Sequence, residues 1–171
     1  MNVLVISMES RFKNIKKTLD NNNITFERII AVDGIKGTHP LMNIYNDKEF
    51  ILNEGRHAAP GEIGCYASHI LAWRRVCKLN KQTVILEDDV EIFSNFNETI
   101  HTISQWERKL DFIRIEPPIA PIIKKKCCRK FRSYKIYSIG NIGLLKFSHI
   151  DTGTRGYIIS PKCARAFLNA S

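Results

Sequence analysis

The chain has 171 residues, a formal net charge of +9, and 44% hydrophobic and 25% charged residues. That is enough for one domain with a real core, burying roughly 70% of the surface of the unfolded chain. No apolar run reaches transmembrane length. The start, Met1-Asn2-Val3-Leu4-Val5-Ile6, lacks the basic region and apolar length of a secretory signal, so an intracellular protein is expected.

The five cysteines, Cys65, Cys77, Cys127, Cys128 and Cys163, are odd in number and irregularly spaced, with no CxxC pair. Reduced thiols fit better than a disulfide framework or a zinc site. The basic balance favours anionic partners. Lys124, Lys125, Lys126, Arg129, Lys130, Arg132 and Lys135 crowd one stretch, with Phe131 and Tyr134 between them. We read it as a peripheral anion-binding patch, set against a solvated loop.

In chain order, Val3 to Ile6 reads as a strand. Ser10 is a candidate cap for a helix over Arg11 to Asp20, whose apolar positions are Phe12, Ile15 and Leu19. Phe26 to Val32 reads as a second strand and Asp33-Gly34 as a turn. Strand, helix, strand suggests a parallel unit. Leu41 to Leu52 allows short helical turns. Gly61 to Cys77 has helical spacing at Ile63, Ala67, Ile70 and Leu71. A strand at Val84 follows, then a helix over Phe96 to Leu110 and a strand over Phe112 to Ile115. Lys135 to Ile139 reads as a short edge strand, Gly140 to Gly143 as a loop and Tyr157 to Ile159 as a strand. Pro161 opens a last helix.

The organising stretch is Thr83 to Ile92. Val84-Ile85-Leu86 is a short β-branched run, and it ends in Glu87-Asp88-Asp89. Adjacent carboxylates at the end of a buried strand repel one another. A hard divalent cation, magnesium or manganese, would offset that repulsion. In α/β sheets ligands gather at carboxyl strand ends. The competing reading is a solvated acidic turn.

Several pieces then add up in one order. They are Val5-Ile6-Ser7 with Arg11, Ala31-Val32-Asp33-Gly34, Gly61-Glu62-Ile63-Gly64-Cys65-Tyr66-Ala67-Ser68-His69, Leu86-Glu87-Asp88-Asp89-Val90, and Gly153-Thr154-Arg155-Gly156-Tyr157-Ile158-Ile159-Ser160. With them the chain resembles glycosyltransferase family 25, the group of bacterial lipooligosaccharide and animal collagen galactosyltransferases. The resemblance runs from Val3 to Leu168 and implies a single domain over 1–171. Its expected fold is GT-A: a Rossmann-like, mostly parallel sheet flanked by helices. Family members continue further, so the chain looks truncated at its C-terminus, the donor half of such an enzyme. The stretch after Ile115 also departs from the family.

The resemblance implies a manganese or magnesium ion bridging the phosphates of a UDP-sugar, held by Asp89 and Glu87. Asp88 or Glu87 would touch the ion through water, or reach the ribose. Alternation along an extended chain would let Glu87 and Asp89 converge while Asp88 points away. Ser7 and Arg11 would hold uracil or phosphate, and Asp33 would accept from uracil or ribose. For Asp33 and Gly34 plain turn chemistry is the equal alternative, and for Arg11 an exposed helix charge. Gly34 would allow close approach. Ser68 and His69 would face the phosphates or sugar, although His69 could equally be a satisfied structural group. Cys65 and Tyr66 read as packing residues. Gly153 and Thr154 would lie beside the donor sugar, or form an ordinary turn. Inversion at the sugar needs a base, for which Asp151 is the candidate in this chain and a carboxylate beyond it an equal one.

Function is therefore expected to be transfer of galactose from UDP-galactose to a lipooligosaccharide or lipopolysaccharide glycolipid. The site of action would be the cytoplasm, with peripheral contact to the anionic inner face of a bacterial inner membrane, and a homodimer is allowed. The alternatives are a donor-binding domain without turnover and, third, a basic nucleic-acid-binding module; nucleic acid is not the expected partner.

Overall fold

The computed structural model describes residues 1–106, 110–115, 133–139, 142–147 and 154–170. Five strands form the main sheet in the order β2-β1-β3-β7-β4: β1 (Asn2–Ser7), β2 (Glu27–Ile30), β3 (Thr83–Glu87), β4 (Phe112–Arg114) and β7 (Gly156–Ile159). β1 pairs in parallel with both β2 and β3, Leu4 lying opposite Glu27 on one side and Ile85 on the other. β7 runs antiparallel to β3 and β4. Four strands thus point one way and one is inserted against them, which gives the expected Rossmann-like α/β architecture.

Unbroken apolar runs make the central strands. Val3 to Ile6 and Thr83 to Leu86 are buried on both faces, as expected where helices cover both sides of a sheet. Alternation divides them between two cores. Val3, Val5, Val84, Leu86 and Ile158 meet Ile15 and Leu19 of α1 (Glu9–Asn21) and Ile100 and Ile103 of α4 (Phe96–Ser104). Leu4, Ile6, Ile85, Tyr157 and Ile159 meet Ala72 and Val76 of α3 (Pro60–Leu79) and Ala164 of α5 (Pro161–Asn169). Each fully buried Leu, Ile or Val contributes about 1.5–3 kcal/mol of transfer free energy. A third cluster joins Val32, Leu41, Ala67 and Ile70, and so seats the 3-10 turn Pro40–Ile44 against α3.

α3 is the longest helix among the described residues. Pro60 stands in its first turn, and the Glu62 side chain accepts from the Ala59 N–H at 2.8 Å. It ends at Asn80, whose φ of 49° is left-handed. α2 (Asp47–Glu54) is capped by Asn46 and stopped by Gly55 at φ 71°. None of its residues is buried. Among the described residues no helix is long and apolar enough to cross a membrane.

Three expectations change. α1 begins at Glu9, with Met8 and not Ser10 at its cap. The Asp88 carboxylate accepts the Met8 N–H at 2.9 Å, so the capping group comes from 80 residues away. α4 stops at Ser104 and not Leu110; Trp106, beyond its end, is buried in the core with Ile100 and Ile103. The strand over Lys135 to Ile139 is β5 (Ser133–Ile139), and it does not edge the main sheet. It pairs antiparallel with β6 (Ile142–Phe147), which includes Ile142 and Gly143 from the expected loop. Asp151, Gly153 and the basic run 124–132 lie outside the described residues.

Candidate functional site

Topology gathers the site. β1, β2 and β3 end at one edge of the sheet, and antiparallel β7 begins there, with Leu86 opposite Gly156. The Glu87 N–H donates to the Arg155 carbonyl at 2.8 Å and extends that pairing. Ser7, Arg11, Asp33, the three acids and Thr154 therefore share the carboxyl edge, where ligands bind in open α/β sheets.

The three acids leave β3 with different partners. Glu87 packs toward α3. Its Oε1 lies 3.1 Å from Nε2 of His69, and the Thr154 hydroxyl donates to the same oxygen at 2.5 Å. Burial raises the Glu87 carboxyl, but the hydrogen bonds from His69 and Thr154 outweigh it and hold it below its ordinary value. Asp88 turns the other way. Its side chain is only 4% exposed, paired with Arg11 at 3.2 Å and bonded to the Met8 N–H. It anchors the start of α1 to the end of β3. Asp89 is exposed and lines a cavity of about 450 Å³. Arg155 and Gly156 lie on the strand side of that cavity and Phe96, Thr99 and Ile100 on the α4 side. This volume lies within the range of small-molecule sites.

A line of hydrogen bonds supports Glu87 from beneath. Trp73 Nε1–H donates to the Tyr157 hydroxyl at 2.9 Å, and that hydroxyl lies 2.7 Å from Nδ1 of His69. With its oxygen accepting from Trp73, Tyr157 donates to Nδ1, and Nε2 keeps the proton it gives to Glu87. Burial holds the Tyr157 phenol well above its usual range, so it remains a hydroxyl. His69 is 3% exposed. It is both a satisfied buried group and the residue that orients Glu87.

Cys65 lies one helical turn before His69 on α3. The sulfur of Cys65, a ring nitrogen of His69 and a carboxylate oxygen of Glu87 all lie within 4.8 Å of one another. Burial, then the nearby Glu87 charge, pushes the Cys65 thiol up to about 11. This soft, thiol-bearing trio does not suit manganese or magnesium, which prefer oxygen donors. Oxygen donors of the kind these ions prefer stand at Asp89, on the cavity wall, and at Glu87, which is bonded to His69 and Thr154 and is not among the residues lining that cavity.

The remaining candidates hold the scaffold. Ser7 is fully buried and donates to the Met8 carbonyl at 2.9 Å. Ser68 is buried, donates to the Gly64 carbonyl at 2.7 Å and accepts the Val32 N–H at 2.8 Å. Both hydroxyls are thus spent on the backbone. Asp33 accepts from the N–H groups of Ile35 and Lys36 at 3.0 and 3.3 Å, the turn role weighed from the sequence. Gly34 sits against α3 so closely that a Cβ there would lie 1.8 Å from the Pro60 carbonyl oxygen. Trp73 was not singled out from the sequence, and Arg155 and Tyr157 stood in a matching family piece without a role of their own. One signal was present: Cys65, His69 and Trp73 recur every four residues along one helix, the spacing that puts side chains on one face.

The sequence model described as "Glycosyltransferase family 25 (LPS biosynthesis protein)" matches residues 1–171. The chain is 31% identical over 121 residues to "Lipooligosaccharide biosynthesis protein lex-1" of Haemophilus influenzae, covering 67% of this chain and 38% of that protein. It is 24% identical over 172 residues to "Procollagen galactosyltransferase 1-B" of Xenopus laevis, covering 95% and 26%. It is 27% identical over 172 residues to "Procollagen lysyl hydroxylase and glycosyltransferase" of Acanthamoeba polyphaga mimivirus, covering 91% and 17%. The chain therefore spans well under half the length of each of these relatives.

Proposed function

The chain belongs to glycosyltransferase family 25, and from that premise we propose that it carries the donor site of a metal-assisted sugar transfer. The sugar is galactose, the donor UDP-galactose, the acceptor a lipooligosaccharide or lipopolysaccharide glycolipid, and the reaction inverts the anomeric centre. One observation carries the reading: the last acid of the β3 motif, Asp89, lines a cavity at the carboxyl edge, with Arg155 beside it. The relatives' names support sugar and acceptor: one is a lipooligosaccharide biosynthesis protein and one a galactosyltransferase.

Asp89 and Glu87 would hold manganese or magnesium. That ion supplies neutralisation of the charge developing on the diphosphate leaving group. Glu87 is kept ionised for this by His69 and Thr154. Arg155 adds positive charge at the wall of the cavity that would receive the phosphates. Asp88 and Arg11 fix the neighbouring loop, and Asp151 is this chain's own candidate for the base that takes the acceptor proton. The basic run would bring the protein to anionic lipid at the cytoplasmic face, where such acceptors are presented.

Radiolabelled UDP-galactose with manganese and deacylated lipooligosaccharide tests the reading. Transfer to the acceptor, exceeding that from UDP-glucose, is the expected result. Donor binding with neither transfer nor hydrolysis would replace it with a donor-binding domain that does not turn over.

A further inference from the structure

The geometry points to a second cation site at Cys65, His69 and Glu87, matched to zinc or a similarly thiophilic divalent ion and sharing Glu87 with the hard-ion site proposed at the cavity. Thiolate, imidazole and carboxylate are the three ligand classes that zinc takes. Here one atom of each lies within 4.8 Å of the others, although the cysteine spacing along the chain gave no sign of it. Two ligands come from one face of α3 and the third from the end of β3. A thiolate and a carboxylate would balance the double charge of the ion, leaving no net charge in a half-buried place.

The surroundings are those of a supported metal ligand. Metal-bound histidines usually give their second ring nitrogen to a fixed partner, and Nδ1 of His69 has one in Tyr157 at 2.7 Å, itself held by Trp73. A route in exists: the Glu87 side chain is 22% exposed and Thr154 is exposed at the strand edge. A fourth position is left for water or the Thr154 hydroxyl.

The proton count is definite. Zinc displaces the proton of the Cys65 thiol, which leaves to solvent. The His69 ring keeps one proton, now on Nδ1 and donated to the Tyr157 oxygen, while Nε2 binds the ion. One proton is released per zinc, because zinc takes the sulfur as thiolate while an ordinary cysteine thiol is mostly protonated at neutral pH. Occupancy would also withdraw Glu87 from the donor ion, so zinc would inhibit transfer; that consequence alone rests on the function proposed above.

The test titrates the full chain with zinc chloride against a chromogenic chelator, in a background of Cys127→Ser and Cys128→Ser. One ion per chain is expected, with affinity rising about tenfold per pH unit, the slope of one released proton. Tyr157→Phe should weaken binding by roughly 10–100-fold, and Cys65→Ser by more. Cadmium should give a thiolate charge-transfer band that Cys65→Ser abolishes. Zinc affinity unchanged in Cys65→Ser, or independent of pH, would overturn the inference. His69→Gln provides a second variant should Cys65→Ser fold poorly. Manganese-dependent UDP binding, measured alongside, reports only the donor site, so either reading can fail without the other.

Discussion

The Tyr157 hydroxyl joins β7, α3 and, through His69, the acid at the end of β3. It accepts from the half-buried Trp73 and donates to the buried His69. Replacing it with phenylalanine leaves the indole N–H and a buried ring nitrogen without this partner, at a cost of about 1–3 kcal/mol. A lower denaturant midpoint with an unchanged slope would show this, together with a change in the His69 nitrogen shifts as its tautomer is released. A second residue-scale test uses pH. Two hydrogen bonds from Arg56, at 2.7 and 2.8 Å, then one from the Ala59 N–H, lower Glu62 from 4.5 to about 2. A depressed acid stabilises the fold fully above its unfolded value and loses that contribution as pH falls through the folded one. Wild type should therefore melt above Glu62→Gln at neutral pH, with the gap closing as pH falls from 4.5 toward 2. A gap that persisted at the acid end would refute the ion pair's role. At this scale the sequence was legible in kind but not in partner. Asp88 was expected to point away from Glu87 and Asp89, but nothing local says that it caps a helix 80 residues earlier.

At the scale of elements, two glycines decide how α3 meets the sheet. A Cβ on Gly64 would stand 2.6 Å from the Gly34 nitrogen and 2.7 Å from the Val32 carbonyl oxygen. Those atoms are backbone and cannot swing aside. Gly64→Ala should cost at least about 1–3 kcal/mol through overpacking, read from chemical denaturation. Gly61, three residues earlier in the same helix, has nothing within 4 Å of its Cβ direction. Gly61→Ala should be neutral or stabilising by up to about 1 kcal/mol, so the pair separates packing from helix propensity. The tight approach also explains why Asp33-Gly34 and the Gly61–His69 block occur together: they are two sides of one contact. The elements themselves were largely readable. β1, α1, α3, β3 and α5 follow from apolar runs and helical spacing, because burial and periodicity act locally. The β5–β6 hairpin was half missed, since Gly140 and Gly143 suggested a loop and pairing depends on a partner strand. α4 was overextended because Trp106 continues its apolar face after the helix has ended.

At the scale of the whole molecule, the proposed function rests on one sheet edge. Parallel strands deliver Ser7, Asp33 and the three acids to it, and the reversed β7 returns Thr154, Arg155 and Tyr157 to the same edge. Strand content and the mostly parallel sheet could be anticipated from strand–helix alternation. The place of β7 between β3 and β4 could not, because it depends on pairing between residues about 70 positions apart, Leu86 and Gly156. That insertion gives Glu87 its Thr154 and His69–Tyr157 support and puts Arg155 in the wall of the cavity beside Asp89. The central proposition is that this edge grips a diphosphate through an ion held at Asp89. Calorimetric titration with UDP, with and without manganese, tests it most directly. Wild type should bind UDP only with manganese present. Asp89→Asn should keep its thermal stability, because the carboxylate it alters is exposed, and should lose affinity by on the order of 100-fold. Equal UDP affinity in the variant, or in wild type stripped of the metal, would show that no ion at this carboxylate holds the nucleotide.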